Sequence, residues 1–284
     1  MAQSPFGKRL RELGWEEGRN LSVERRFGKG SAQELLMMAI DVVQSHVDVI
    51  FAASAAPAAA AKRATSTIPI VFQTLNDPVE QGLVGSLARP GGNITGVAAA
   101  PTAGKRLELL KELAPKMTRG AGLVSSANAA TPSILAETQR AADALGLVMT
   151  TFAISTANDF DQVSSTMTGM TASRFEGLVV ANDALLFRIR ARIRGLAMRL
   201  KMPAVYGHRE DALEGGLAAF STSLAEQSVR AADYVDRILR GAAAGQLPVQ
   251  RADRFETIIN LKTAKTLGLT IPPVVLARAD QVIE

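Results

Sequence analysis

The sequence predicts an α/β protein made of two similar units, each a parallel sheet flanked by helices. Three observations predict it. Strand-like and helix-like segments alternate along nearly the whole chain. A turn-rich break interrupts that alternation about a third of the way along. The strand-like segments end, one after another, in small polar residues. The stretch "IPIVFQTLNDPVEQGLV" at 68–84 carries the pattern in miniature. Ile68, Ile70, Val71 and Phe72 are β-branched or aromatic and read as a strand buried on both faces. Thr74, Asn76, Asp77 and Pro78 follow at once, before a short helical piece.

In chain order the expected strands are 21–27, 48–53, 69–73, 94–97, 121–125, 147–152, 177–181, 203–206 and 217–220, with helices between them. Two helix starts carry a capping box, Ser31 with Glu34 and Ser223 with Glu226, in which side chains satisfy the free amides of the first turn. The helix after Ser31 repeats its apolar residues helically at Leu35, Met38, Ala39, Val42 and Val43. "GKGS" at 28–31 follows a strand and opens a helix but lacks the first glycine of a phosphate-binding loop, so it reads as a turn. "AASAAPAAAAKRA" reads as an alanine-rich helix. The break is "ARPGGNITGVAAAPTAGK", where Pro90-Gly91-Gly92-Asn93 makes a strong turn and Pro101 follows the next strand. The pattern restarts at Ala121, which favours two tandem units over one sheet of ten strands.

At 284 residues, 47% hydrophobic and 21% charged, the chain can bury one large or two ordinary cores. No uninterrupted apolar run reaches the ~18 residues of a membrane span. "MAQSPFGKRLRELGW" contains no apolar signal-peptide core. The absence of cysteine excludes disulfides, thiolate metal sites and cysteine nucleophiles. Net charge is +5, but the basic residues are scattered. In the densest run, "RIRARIR" at 188–194, the arginines fall on several sides of a helix, which reads as a solvated face rather than a nucleic-acid patch. One Trp and two Tyr offer few platforms for stacking bases.

In open parallel sheets ligands bind beyond the carboxyl ends of the strands. Here those ends lead to Ser54; to Thr74, Asn76 and Asp77; to Ser125, Ser126 and Asn128; to Asn182 and Asp183; and to His208, Arg209 and Glu210. Each such residue is also a good helix N-cap. The two roles are compatible, because a helix start with free amides is itself an anion site. There is no phosphate-binding loop and no nucleophile elbow, and His46 and His208 lie far apart in sequence. No catalytic residue, metal ligand set or cofactor motif stands out, so the chain is expected to bind rather than to catalyse.

"VDVIFAASAAPAAAAKRATSTIPIVFQTLNDPVEQGLVGSLARPGGNITGV", "VDRILRGAAAGQLPVQ" and "FETIINLKTAKTLGLTIPPVVLARADQVIE" resemble the ABC transporter substrate-binding proteins of the group with tryptophan- and phenylalanine-binding members. The resemblance implies a type I periplasmic-binding-protein fold: two Rossmann-like lobes closing on a small solute in an interlobe cleft. The lobes would be 1–98 with 222–248, and 99–221 with 249–284. It implies a periplasmic protein that hands an amino acid or aromatic carboxylate to an ABC permease of the inner membrane, with no nucleic-acid partner. The solute carboxylate would meet the helix start at Ser54-Ala55 and the hydroxyl of Thr74. Asn128, Asn182 and Asp183 would close from the second lobe, with Asp183 and Asp77 the carboxylates best placed for an ammonium. Tyr206 would be a flat wall, unless it is a core tyrosine. Relatives also carry an export signal, a first strand and a ligand-facing loop before the helix that matches "FGKRLRELGW", where this sequence starts. The sheet of lobe 1 is therefore expected to be one strand short, or patched from elsewhere, and an open sheet edge invites self-association. The alternatives are a cytoplasmic ligand-sensing core of the same fold and an α/β enzyme.

Overall fold

The computed structural model describes residues 4–28, 31–169, 175–252 and 254–284. The chain divides into two compact units, Met1–Ala100 with Ser223–Arg254, and Pro101–Thr222 with Phe255–Glu284.

The first unit begins with α1 (Pro5–Glu12) and α2 (Ala32–Gln44), followed by β1 (Ile50–Ala52), α3 (Ala55–Ala64), β2 (Ile70–Thr74) and β3 (Ile94–Ala99). The second unit runs through α4 (Ala103–Leu113), β4 (Arg119–Ser125), α5 (Thr131–Leu145), β5 (Val148–Ile154), α6 (Asp159–Gly169) and β6 (Leu178–Val180). It continues through α7 (Ala184–Arg188), α8 (Arg190–Arg199), β7 (Ala204–Tyr206), α9 (Arg209–Leu213) and β8 (Ala218–Thr222). The chain returns to the first unit as α10 (Leu224–Leu239) and β9 (Gln250–Ala252). It ends in the second unit with β10 (Phe255–Asn260), α11 (Leu261–Thr266), α12 (Pro273–Ala277) and β11 (Gln281–Ile283).

The first unit's sheet is parallel, in the order β1-β2-β3-β9. Every residue of β2 and β3 is buried, as expected of strands covered on both faces. One face packs on α1 and α10 through Phe6, Leu10, Val71, Val97, Ala231 and Val235. The other packs Phe72, Ile70 and Ile94 on Ala58 and Ala61 of the alanine-rich α3. Gly96 permits the closest approach: a Cβ there would lie 2.2 Å from the carbonyl oxygen of Phe72, so no side chain fits.

The second unit's sheet has the order β11-β10-β8-β7-β6-β4-β5, with only the β10–β8 pair antiparallel. Leu123, Val180, Ile193, Leu196 and Tyr206 belong to one core cluster, and Leu107, Leu110, Val179, Val205 and Ile259 to another.

Both N-cap bonds of the expected capping boxes form, Ser31 Oγ accepting from Glu34 N at 3.1 Å and Ser223 Oγ from Glu226 N at 3.4 Å, while the Ser223 amide donates to the Arg254 carbonyl rather than to Glu226. Three expectations need correction. Residues 21–27 are not a strand; an isolated bridge between Glu17 and Leu21 is their one ladder contact among the described residues. Alternating polarity alone does not make a strand without a neighbour to bond, and β1 pairs with β2 on one side only. The crossing expected at 248 lies after Arg254, because β9 pairs with β3 and belongs to the first unit's sheet. The arginines of 188–194 are not simply solvated. Arg190 and Arg194 bind Glu214 at 3.0 and 2.6 Å, and Arg192 pairs with Asp161. Residues 29 and 30 of the expected turn at 28–31 lie outside the described residues.

Candidate functional site

In the second unit the order β7-β6-β4 brings the loops after 125, 181 and 206 side by side. Asp183 follows β6 and caps α7, its Oδ1 accepting from Leu185 N at 2.7 Å and more weakly from Leu186 N at 3.4 Å. Its Oδ2 accepts from Asn128 Nδ2 at 3.1 Å. Asn128 is held in turn by its own loop, Oδ1 accepting from Ala130 N at 3.0 Å. Asn182 donates from Nδ2 to the Gly207 carbonyl at 3.0 Å, while its buried Oδ1 has no partner among the described residues. The loop after β7 can come this close only because residue 207 is glycine: a Cβ there would sit 2.7 Å from the Asn182 backbone. His208 places Nε2 3.3 Å from the Asp183 carbonyl oxygen. Burial depresses the His208 pKa to about 4, so the ring is neutral at pH 7.

Tyr206 is 1% exposed and belongs to the core, where Gly216 leaves room for its ring. Its phenol is held well above the usual range chiefly by burial. A tyrosine at the end of a buried strand suits a wall and a core equally in sequence; here it fills the core.

The first unit gathers Thr74, Asn76 and Asp77 at the end of β2. The Thr74 hydroxyl donates to Gln81 Oε1 at 2.7 Å and accepts from Asn76 N at 3.3 Å. Asp77 is already engaged, accepting from Val79 N at 2.8 Å and from Arg251 at 2.7 Å. Ser54 stands at the N-cap of α3 without a side-chain capping bond, and the Ala55 amide opens that helix.

Arg106 and Gln227 are two of the buried polar residues that the sequence analysis did not single out. Arg106, on α4, is 2% exposed and donates to Thr102 Oγ1 at 2.7 Å, yet its Nε has no partner among the described residues. Burial lowers its pKa to about 10, with Glu137 opposing. Gln227, on α10, is fully buried, and neither polar side-chain atom is bonded among the described residues. The available signal was its place in a helical stripe with Ala231, Tyr234, Val235 and Ile238, all buried.

No group of three or more His, Asp or Glu able to hold a metal occurs among the described residues. The polar groups gathered here offer hydrogen-bond donors and acceptors at strand ends.

The family model described as ABC transporter substrate binding protein matches residues 2–283. The chain belongs to that family. A tyrosine-binding protein from Clostridioides difficile is 28% identical over 269 residues, covering 94% of this chain and 76% of the relative. An ABC domain from Streptococcus pneumonia, solved in complex with L-Trp, is 25% identical with a TM-score of 0.91. That match covers 98% of this chain and 93% of the other. A substrate binding protein with adhesive properties from Clostridium difficile, in its ligand-free, open structure, is 25% identical with a TM-score of 0.77. It covers 99% of this chain and 92% of that one. This substrate-binding protein therefore has the type I periplasmic-binding-protein-like fold, and its family binds substrates for transport rather than transforming them.

Proposed function

We propose that this protein binds a free α-amino acid, with an aromatic side chain the leading class, and presents it to an ABC permease of the inner membrane. The observation that carries this reading is the similarity across nearly the whole chain to a relative solved with L-Trp, supported by the relative named for tyrosine. Membership of a substrate-binding family supports periplasmic residence and a permease partner.

In this reading Asp183 answers the solute's ammonium. The capping bonds use Oδ1, and Oδ2 has lone-pair capacity beyond the Asn128 bond. Asn128 and Asn182 add neutral polar groups, the unpartnered Asn182 Oδ1 among them. The helix start at Ser54-Ala55 meets the carboxylate, with Asn76 beside it. Thr74 and Asp77 hold that loop, because their side chains are spent on Gln81 and Arg251. The proposal leaves Tyr206 out because its ring packs in one cluster with Leu123, Val180, Ile193 and Leu196.

The sheet of the first unit has β1 as an edge strand, and α2 beside α3 buries none of its 13 residues although most are apolar. We assign self-association to this edge, as an open strand next to apolar surface recruits another chain. Sedimentation at rising concentration should show a reversible dimer, weakened by Met37→Lys on the exposed apolar surface of α2; a monomer throughout removes this part of the proposal.

The function is tested by purifying the protein without denaturation, releasing any bound solute and identifying it by mass spectrometry. An amino acid supports the reading, and a sugar or polyamine overturns it.

A further inference from the structure

We infer that Gln227, on the first turns of α10, is a solute-reading residue of the first unit, its carboxamide hydrogen-bonding the polar end of the bound amino acid. The inference rests on the function proposed above and adds a residue that neither the strand-end pattern nor the family assignment singled out.

Gln227 heads the stripe by which α10 packs on its sheet, followed by Ala231, Tyr234, Val235 and Ile238. It is 0% exposed, and neither Nε2 nor Oε1 has a hydrogen-bond partner among the described residues. Buried polar groups are nearly always bonded, and two orphaned atoms on one side chain disfavour the fold. A leucine or methionine would continue the stripe without that loss. The neighbouring polar groups are bonded: Ser228 Oγ donates to Gln73 Oε1 at 3.2 Å, and Glu226 Oε1 accepts from Arg230 at 2.5 Å. Glu226 Oε2 is the exception, buried and unpartnered beside Gln227.

The unmet donor matches the carboxylate of an amino acid: Nε2 can donate to it in addition to the helix start at Ser54-Ala55, while Asp183 keeps the ammonium. Ser223 caps the same helix, whose first-turn amides carry a partial positive charge favourable to a carboxylate. An amino acid bound here completes bonds that the solute-free protein lacks, which is differential stabilisation of the bound state.

The test uses Gln227→Met in the full chain, with L-tryptophan as the probe and two readouts, thermal melting without solute and titration calorimetry. The variant should melt higher than the parent without solute, because two buried orphan atoms are gone. It should bind L-tryptophan at least tenfold more weakly. Gln227→Glu should weaken binding at least as much, since it keeps the shape but replaces the donor with a negative charge. Unchanged affinity in Gln227→Met, while the parent binds L-tryptophan, overturns the inference and leaves the proposed function standing. A lower melting temperature with unchanged affinity identifies Gln227 as structural and also overturns it. If the parent binds no amino acid at all, the proposed function fails and this inference fails with it.

Discussion

Asn128 donates from Nδ2 to Oδ2 of Asp183 at 3.1 Å, across a sequence separation of 55 residues. The bond ties the loop after β4 to the loop after β6 and divides the labour within one carboxylate. Oδ1 caps α7, and Oδ2 is steered by a neutral amide. That amide leaves the negative charge uncompensated, so Asp183 can still answer an ammonium.

Asp183→Asn separates the two roles. Asparagine caps nearly as well as aspartate, and weakening the charge-assisted bond from Asn128 costs about 1.5–3 kcal/mol at most. Melting should therefore fall by no more than a few degrees. Amino-acid affinity should fall by roughly 2–5 kcal/mol, about thirtyfold or more. Calorimetry showing parental affinity would reduce Asp183 to a cap.

Gly207→Ala probes the packing behind the same site. The added methyl would meet the Asn182 backbone at 2.7 Å, so one of the two loops must move. Overpacking of this kind costs roughly 1–3 kcal/mol. Both melting temperature and amino-acid affinity should drop. A variant that matches the parent in both would show that the loops yield freely.

Tyr206→Phe and Tyr206→Ala test the core assignment. Phenylalanine keeps the ring volume, so affinity should stay at the parental value. Alanine leaves a cavity and should cost roughly 3–5 kcal/mol of stability. A large loss of affinity in Tyr206→Phe with unchanged melting would return Tyr206 to the ligand.

Two titrations should oppose each other. Burial raises Asp211 to about 6 despite its 2.9 Å bond with Arg194, and burial lowers His208 to about 4. A raised acid binds more protons folded than unfolded, so its contribution is present below pH ~4 and is lost as pH rises through 6. A depressed histidine binds fewer protons folded, so its contribution is absent below pH ~4 and grows as pH rises towards 6.5. In the parent the two slopes largely offset. His208→Gln should expose falling stability between pH 4 and 6, and Asp211→Asn should expose a rise. Identical melting-versus-pH curves for both variants would contradict these shifts.

The α/β alternation and the polar strand ends were legible because doubly covered strands must be apolar and helix starts must be capped. The segment 21–27 misled because pairing depends on a neighbour, and its alternation says nothing of whether one is present. β9 was missed because Gln250-Arg251-Ala252 is too short and too polar to stand out. Gln227 was missed for a different reason: the Ser223–Glu226 capping box explained the start of its helix, and the polar break in the buried stripe one residue later drew no notice. Asp77 looked as available as Asp183, and only the fold brings Arg251 to it.

The central claim is that this substrate-binding protein recognises a free amino acid through both its carboxylate and its ammonium. The most direct measurement is calorimetric titration of solute-free protein with L-tryptophan, L-tyrosine, tryptamine and D-glucose. The account predicts saturable one-to-one binding of at least one of the two amino acids, at least tenfold weaker binding of tryptamine than of L-tryptophan, and no heat from glucose. Saturable binding of glucose, with no binding of either amino acid, would contradict it.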